Sequence, residues 1–542
     1  MGILSNLRKT LRNGGTAVEE KREIRQTRTG APIKPITRGL PKTVESLCPE
    51  CLKVIPARMF EENGRVMMEK TCPEHGYFKD LYWSDVDLYL KAERWHFMDG
   101  EGFENPLTEN TKGCPYSCGL CNLHTSTSCL INIDLTNRCN LSCPICFANA
   151  NAAGFVVEPT FDQVVEMLRR PREEKPDPAT AVQFAGGEPT LHPQFVEIIA
   201  AARELGYTHI QVASNGLKFA DFDFTLRCKE AGLHTIYLQF DGVDDTVYEK
   251  TRGRKLFAIK DKVVDNFRKA GMKVVLVPTI VNTINDHQVG PILLYAIENR
   301  DVISGISAQP VTFTGRIDAT ERMKMRFTLP DMARCIEEQT GLISTKDDWY
   351  PVSCVSPFPK FIKALTGTKM VNVTCHPHCG LGTFIYIDKD DNVYPVTRFV
   401  DVEGFLTELY ERAERLEHSW LKLPAKLLFY HNFKKYYREE YAPPGLSYFD
   451  FIESLYGLID KKIGRSGKWG KDGISYMFVA GMHFMDAYNY QTERVRRCVI
   501  HYSTLDGKIY PFCSYNSGPT NRDRVEREFA IPLEEWRKRQ ER

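Results

Sequence analysis

The chain is 542 residues long with 71 Lys+Arg against 70 Asp+Glu, and this balance argues against a dedicated nucleic-acid binder. Its 42% hydrophobic content and mean hydropathy of −0.34 are globular values, and the length allows roughly two to four domains with a full core. No apolar run reaches the roughly 18 residues needed to cross a membrane, and the opening MGILSNLRKTLRNGG lacks the apolar stretch and cleavage site of a signal peptide. The 17 cysteines are odd in number and bunched in C-x2-C and C-x3-C spacings, which favours metal ligation in a reducing cytoplasm over disulfides.

Residues 1–45 are polar and basic. Ile3, Leu4, Leu7 and Leu11 fall at helical spacing with Arg8, Lys9 and Arg12 between them. This is the pattern of a short helix lying on an anionic membrane surface, or of a docking helix or frayed terminus. Residues 46–82 read as a metal module: Cys48-x2-Cys51, a predicted hairpin over Arg58–Lys70 turning at Asn63-Gly64, then Cys72-Pro-Glu-His75. Two knuckles flanking a hairpin are the layout of rubredoxins and zinc ribbons. Cys48, Cys51, Cys72 and His75 would form a tetrahedral shell for one iron or zinc. Within residues 83–129, a helix and linker precede Cys114, Cys118, Cys121 and Cys129, spaced C-x3-C-x2-C-x7-C. Four thiolates can close an auxiliary 4Fe–4S cluster, a second zinc site being the alternative.

Residues 130–311 alternate strand and helix. The run Ile131–Leu135 predicts a strand feeding a loop with Cys139, Cys143 and Cys146 in C-x3-C-x2-C order. Three thiolates can hold three irons of a 4Fe–4S cube and leave the fourth open to a small chelator, whereas structural zinc wants four ligands. The next strand, Ala181–Phe184, ends in Gly186-Gly187-Glu188-Pro189. Glycines there let backbone approach a ligand closely, and Glu188 can accept from an ammonium group. Further strands are predicted at His209–Ala213, Thr235–Phe240, Lys273–Val281 and Ile303–Val311, with helices at Phe161–Arg170, Phe195–Leu205 and Lys255–Ala270 and another containing Tyr295. Six such units predict an α/β fold, a parallel sheet wrapped by helices, with ligands at the C-terminal strand ends. Ser214, Asn215 and Asp241 lie there as candidate cofactor or substrate contacts, with turn chemistry at Asn215-Gly216 and Asp241-Gly242 the competing account. Cys228 and Cys335 fall in predicted helices and read as core.

In residues 312–542, TCHPHCG at 374–380 and RCVIHYSTLDGKIYPFC at 497–513 each pair cysteine with a hairpin. Cys375, Cys379, Cys498 and Cys513 are the candidate ligands of a further site, with Cys354 as a possible replacement. Between them, residues 403–495 are apolar and aromatic with interleaved lysines such as Lys422, Lys426, Lys434, Lys435, Lys461 and Lys462. Core packing is one reading; a hydrophobic substrate channel with a membrane-facing mouth is the other.

The three-cysteine loop after one strand and GGEP after the next resemble the radical SAM superfamily. This resemblance implies a partial (β/α)6 barrel and S-adenosylmethionine chelating the open iron beside Gly186, Gly187, Glu188 and Pro189. It also implies a C-terminal auxiliary-cluster (SPASM-like) region. Many members carry an aromatic residue before the third cysteine, where this chain has Ile145. Taken with the flanking cysteine modules, the whole order resembles archaeal tetraether lipid synthase and its relatives. That resemblance implies joining the terminal methyl carbons of two lipid chains, three 4Fe–4S clusters beside a rubredoxin-like site, a lipid substrate and peripheral membrane contact. An electron donor such as ferredoxin or flavodoxin would be required. The rival readings are radical methylation of a pterin or other small molecule, modification of a peptide, and a non-catalytic electron carrier with several clusters.

Overall fold

The computed structural model describes residues 25–97, 100–367, 371–417, 433–459, 473–518 and 521–540. The expected basic helix at residues 3–12, the run Leu427–Tyr430, and Lys422, Lys426, Lys461 and Lys462 lie outside the described residues.

Four strands, β1 (Lys42–Leu47), β2 (Val54–Glu62), β3 (Arg65–Cys72) and β4 (Gly76–Trp83), form an antiparallel sheet in sequence order. The β2–β3 hairpin turns at Asn63 and Gly64, both with positive φ (54° and 74°), as a tight two-residue turn requires. The sheet starts at Lys42, ahead of the expected boundary at residue 46, because β1 pairs along its length with β2. Lys42 itself is buried in an ion pair with Glu93.

The main sheet carries the predicted parallel strands: β5 (Leu130–Thr136), β6 (Ala181–Gly186), β7 (His209–Ser214), β8 (Thr235–Gln239), β9 (Lys273–Val277) and β10 (Ile303–Pro310). Ile131, Ile133, Val182, Phe184, Ile210, Val212, Ile236 and Leu238 are fully buried in one core. On alternate positions runs a polar ladder, in which Gln211 donates to Gln183 and Gln183 to Asn132, each at 2.7 Å. Helices cover the apolar side. The helix Phe161–Arg172 starts on a capping box in which Thr160 and Gln163 satisfy each other's backbone N–H groups.

The C-terminal region is built into this sheet. The strand β12 (Ser475–Met482) runs parallel to β10, and β13 (Ile500–Ser503) runs parallel to β5, so both barrel edges are paired by late segments of the chain. The strand β11 (Gly380–Ile387) adds antiparallel to β12, and β14 (Ile509–Pro511) to β13. The described part of the aromatic stretch forms a second core around Phe399, Phe405, Phe433, Tyr437, Tyr448 and Phe451. Its rings meet edge-on or tilted, as in Phe405–Phe433 at 5.1 Å and Tyr437–Phe451 at 5.6 Å. These residues pack against one another instead of lining a channel. No helix of the described residues is long and apolar enough to cross a membrane.

Candidate active site and metal centres

Cys139, Cys143 and Cys146 stand in the loop after β5, and this loop is held from several sides. Asn151 accepts from Cys139 N at 3.0 Å and donates to the carbonyls of Cys139 and Leu141 at 2.9 and 3.1 Å. Arg316 pairs its backbone with Cys146 in both directions at 2.9 Å, and its side chain donates to Cys143 O at 2.8 Å and Ala150 O at 3.2 Å. Arg252 donates to Ile145 O at 3.1 Å. Backbone N–H groups of Leu141 and Ala150 reach the sulfurs of Cys139 and Cys146, each at 3.4 Å. Burial pushes the Cys139 thiol up to about 12, with a smaller like-charge contribution from Cys143 and Cys146.

GGEP abuts this loop. Gly187 N donates to Thr136 O at 2.7 Å and Glu188 N to Arg138 O at 2.8 Å. A Cβ on Gly187 would lie 2.3 Å from Arg138 O, so the approach needs glycine. Pro189 opens a short 3-10 turn, Pro189–Leu191, capped by Glu188. Glu188 is buried. Its carboxylate accepts from Thr190 N and Oγ1, Ser214 Oγ and Asn215 N, at 3.2, 2.6, 2.9 and 2.8 Å. Burial raises its pKa, and these bonds oppose the rise. Glu188 and Ser214 thus brace the ends of β6 and β7 against each other. Asn215 faces the loop, its Nδ2 2.7 Å from Asn140 Oδ1.

Asp241 is not free to meet a cofactor. It is fully buried, and both oxygens take the Arg252 guanidinium, at 2.6 and 3.1 Å. Burial raises its pKa, but Arg252 outweighs that and leaves it below the ordinary value. Asp241 reaches the site through Arg252, which it aims at Ile145 O. Lys260, buried, donates to Asn215 O at 2.5 Å and Gln239 at 2.8 Å, and burial brings it down to about 7. Sequence reasoning missed Arg252, Lys260 and Arg316. Lys260 and Arg316 have partners distant in the chain, and Arg252 sits in a basic run, Lys250–Lys255, that reads as solvated surface. A cleft partly open to solvent adjoins the loop, lined by Asn137, Ala148, Gly186 and Gly187 together with Asp134, Tyr502, Tyr515 and Arg522.

In the N-terminal sheet, ligand atoms of Cys48, Cys51, Cys72 and His75 all lie within 4.8 Å of one another. Four ligands about 2.3 Å from one zinc stand roughly 3.8 Å apart in a tetrahedron. The Cys51–Cys72, Cys48–His75 and Cys72–His75 separations are 3.9, 3.7 and 3.5 Å, so the donor set fits a single ion. His75 pulls the Cys72 thiol down to about 6.

The remaining cysteines divide differently from their spacing. Cys114, Cys118 and Cys121 line a small cavity with Arg496 and Pro511, and Cys129 is not in its wall. Cys129 instead donates to Asn372 O at 3.2 Å and lies beside Cys375. The Cys375 thiol is pushed up by its hydrogen bond with Cys379, by burial, and by the charges of Cys379, Cys129 and Cys498. Cys379 and Cys513 both act on Cys498. Cys513 shares a buried cluster with Cys498, Cys114 and Cys118. Cys354 packs in the second core, and Cys228 is buried in the main one.

Residues 133–296 match the Radical SAM superfamily, and residues 40–84 match the HMPTM N-terminal zinc ribbon domain. The chain is 44% identical over 511 residues to 7,8-dihydro-6-hydroxymethylpterin dimethyltransferase of Methanocaldococcus jannaschii, covering 92% of this chain and 97% of that one. The chain belongs to the family of that dimethyltransferase. A GTP 3',8-cyclase of Klebsiella pneumoniae is 31% identical over 168 residues, 30% of this chain and 50% of that one. Streptococcus suis SuiB bound to precursor peptide SuiA covers 55% of this chain at 14% identity, with a TM-score of 0.32. Family membership replaces the resemblance to tetraether lipid synthase, and with it lipid-chain coupling, the lipid substrate and membrane contact. The cysteine modules misled because they specify cluster and metal chemistry, which is indifferent to the substrate. The α/β radical SAM fold carries a 4Fe–4S cluster and S-adenosylmethionine, and the ribbon supports a single-metal site.

Proposed function

We propose that the protein methylates a pterin by radical SAM chemistry. The observation that carries this reading is the family match over nearly the whole chain. Cys139, Cys143 and Cys146 would hold the cluster, which with bound S-adenosylmethionine supplies a deoxyadenosyl radical able to open a C–H bond that has no acidic proton. Asn151, Arg252 and Arg316 fix the loop. Gly186 and Gly187 bring backbone against it, and Glu188 with Ser214 sets the strand ends that face the cofactor. Asn215 is placed to orient a polar group. The substrate ring would enter the adjoining cleft, which Asp134, Tyr502, Tyr515 and Arg522 line, with Arg522 paired to Asp134 at 2.8 Å and lying over both rings.

The finer metal assignment is also a proposal. One auxiliary site would use Cys114, Cys118 and Cys121, and a second would use Cys375, Cys379, Cys498 and Cys513 with Cys129 alongside. One zinc or iron would sit in the ribbon. The chain would then be organised as the basic segment, the metal module from Lys42, the cluster loop, the barrel, and a C-terminal region that completes the barrel sheet.

The test is to supply reduced protein with S-adenosylmethionine, 7,8-dihydro-6-hydroxymethylpterin and a one-carbon donor, either further S-adenosylmethionine or a reduced folate-type carrier, under anaerobic conditions and to weigh the products. A pterin heavier by methylene units supports the reading. Sustained cleavage of S-adenosylmethionine with the pterin unchanged would refute the substrate. Alanine at Cys139, Cys143 or Cys146 is expected to abolish cleavage while the ribbon metal stays bound. Retained cleavage would mean that another trio carries the radical chemistry.

A further inference from the structure

Two arginines clamp the cysteine loop, and they differ in one respect. Arg252 spends its whole side chain on the protein: Asp241 through Nε and Nη2, Thr279 Oγ1 through Nη2, Ile145 O through Nη1, and the Cys143 thiol as well. Arg316 commits Nε to Cys143 O and Nη1 to Ala150 O. Its Nη2 is buried and has no protein partner. A guanidinium cannot shed its charge and presents its donors in a rigid planar fork. Leaving one arm buried and unpaired is costly unless something absent from the protein accepts from it.

The arm's direction is constrained. Nη2 shares with Nε the edge of the fork that faces Cys143 O. The side chain is held by its own bonds to Cys143 O and Ala150 O, and its backbone is paired in both directions with Cys146. The preceding Gly315 has φ +71°, and a Cβ there would lie 2.3 Å from Phe147 O and 2.5 Å from Cys146 O. The fork is therefore fixed against the loop that carries the three thiolates.

We propose that Arg316 Nη2 donates a charge-assisted hydrogen bond to a sulfur of the cluster held by Cys139, Cys143 and Cys146, either a thiolate or a sulfide on the Cys143 side. A cationic donor on cluster sulfur favours the more negative, reduced state and so raises the reduction potential. Arg316 would set how readily the cluster accepts the electron that cleaves S-adenosylmethionine. This depends on the superfamily chemistry and not on the identity of the substrate.

The test uses the full-length, cluster-loaded protein and follows the reduced cluster whose paramagnetic signal changes on adding S-adenosylmethionine. In a redox titration without S-adenosylmethionine, Arg316→Gln is expected to move that midpoint to more negative potential. Arg316→Lys, which keeps the charge, should move it less, and neither variant should move the other clusters or release the ribbon metal. An unchanged midpoint with a full complement of cluster would overturn the proposal. So would an unchanged midpoint accompanied by weaker S-adenosylmethionine binding, which would assign the arm to the cofactor's carboxylate. If the glutamine variant fails to load a cluster, the unaltered protein labelled with 15N in the arginine guanidinium gives an independent reading. Pulsed electron resonance should detect 15N coupling to the reduced cluster that Arg316→Lys removes. Absence of that coupling would refute the hydrogen bond.

Discussion

Arg326 is the sharpest structural test because it joins three parts of the chain at one buried point. Its Nε lies 3.1 Å from Asp80 in β4, and Nη1 and Nη2 reach Asp486 at 2.6 and 3.3 Å. Arg326 and Asp486 are fully buried and Asp80 nearly so. Asp80 keeps a second partner in Arg322 at 2.5 Å, but Asp486 has no other cation in contact among the described residues. Its remaining bonds come from backbone N–H groups, including those of Phe313 and Tyr488, each at 3.0 Å. Arg326→Met fills much of the same volume and leaves Asp486 buried with only the more distant charge of Lys70 to offset it, a change that costs up to about 3–5 kcal/mol. The added variant Asp486→Asn removes that charge and should recover part of the loss, because replacing both members of a buried pair is far milder than removing one. Urea unfolding of the metal-loaded protein reads both. Trp83, fully buried at the end of β4, reports whether the ribbon detaches first. A loss within about 0.5 kcal/mol for Arg326→Met, the range of an ordinary surface change, would refute the claim that this network holds the ribbon to the barrel.

Gly187→Ala places a methyl 2.3 Å from Arg138 O and should displace GGEP from the cysteine loop. Shifts of about 1 Å at a positioned site cost on the order of 100-fold in rate, so S-adenosylmethionine cleavage should fall by that order while cluster iron is retained; near-normal cleavage would show that the close approach is dispensable. Cys129→Ser should perturb the site around Cys375 and leave the Cys114–Cys118–Cys121 signal unchanged, as read by iron content and electron resonance, whereas the reverse would restore the grouping given by spacing. Glu408 provides the pH test. Partial burial raises its pKa, but hydrogen bonds from Lys435, Tyr436 and Arg412 outweigh that and bring it from 4.5 to about 2. A depressed carboxylate contributes stability that is fully present above its unfolded value and is lost as pH falls through its folded value. The native protein should therefore lose stability between pH 4.5 and about 2, and Glu408→Gln should flatten that part of the profile; an unaltered profile would show the cluster of partners to be ineffective.

Local ligand sets were readable from sequence, and sets assembled across the sheet were not. Cys48, Cys51, Cys72 and His75 sit at the two ends of a hairpin, so antiparallel pairing of β2 with β3 brings them together automatically. The three-cysteine loop and GGEP end adjacent parallel strands, so they meet as soon as β5 and β6 pair. Cys129 is harder to place, because seven residues separate it from Cys121. It stands at the foot of β5, where Asn372, far along the chain, meets it. Asp241 was misread for a related reason. A carboxylate at a strand end has the same sequence context whether it faces a ligand or an arginine, and Arg252 lies 11 residues further on.

The same reasoning explains why the chemistry was more legible than the substrate. A radical SAM site needs three thiolates and a close glycine turn, and both requirements leave short sequence marks. The cleft that adjoins the site is lined by barrel residues together with Tyr502, Tyr515 and Arg522, which arrive only because β13 pairs with the edge of β5. That pairing joins residues whose separation spans most of the chain, and parallel edge pairing leaves no turn signal by which to find it. The C-terminal cysteines drew attention as a separate cluster domain, whereas the strand between Cys498 and Cys513 also completes the barrel. Substitutions in this seam should therefore change which molecule is accepted or how tightly it binds, while substitutions at Cys139, Cys143 or Cys146 should abolish radical formation with any substrate.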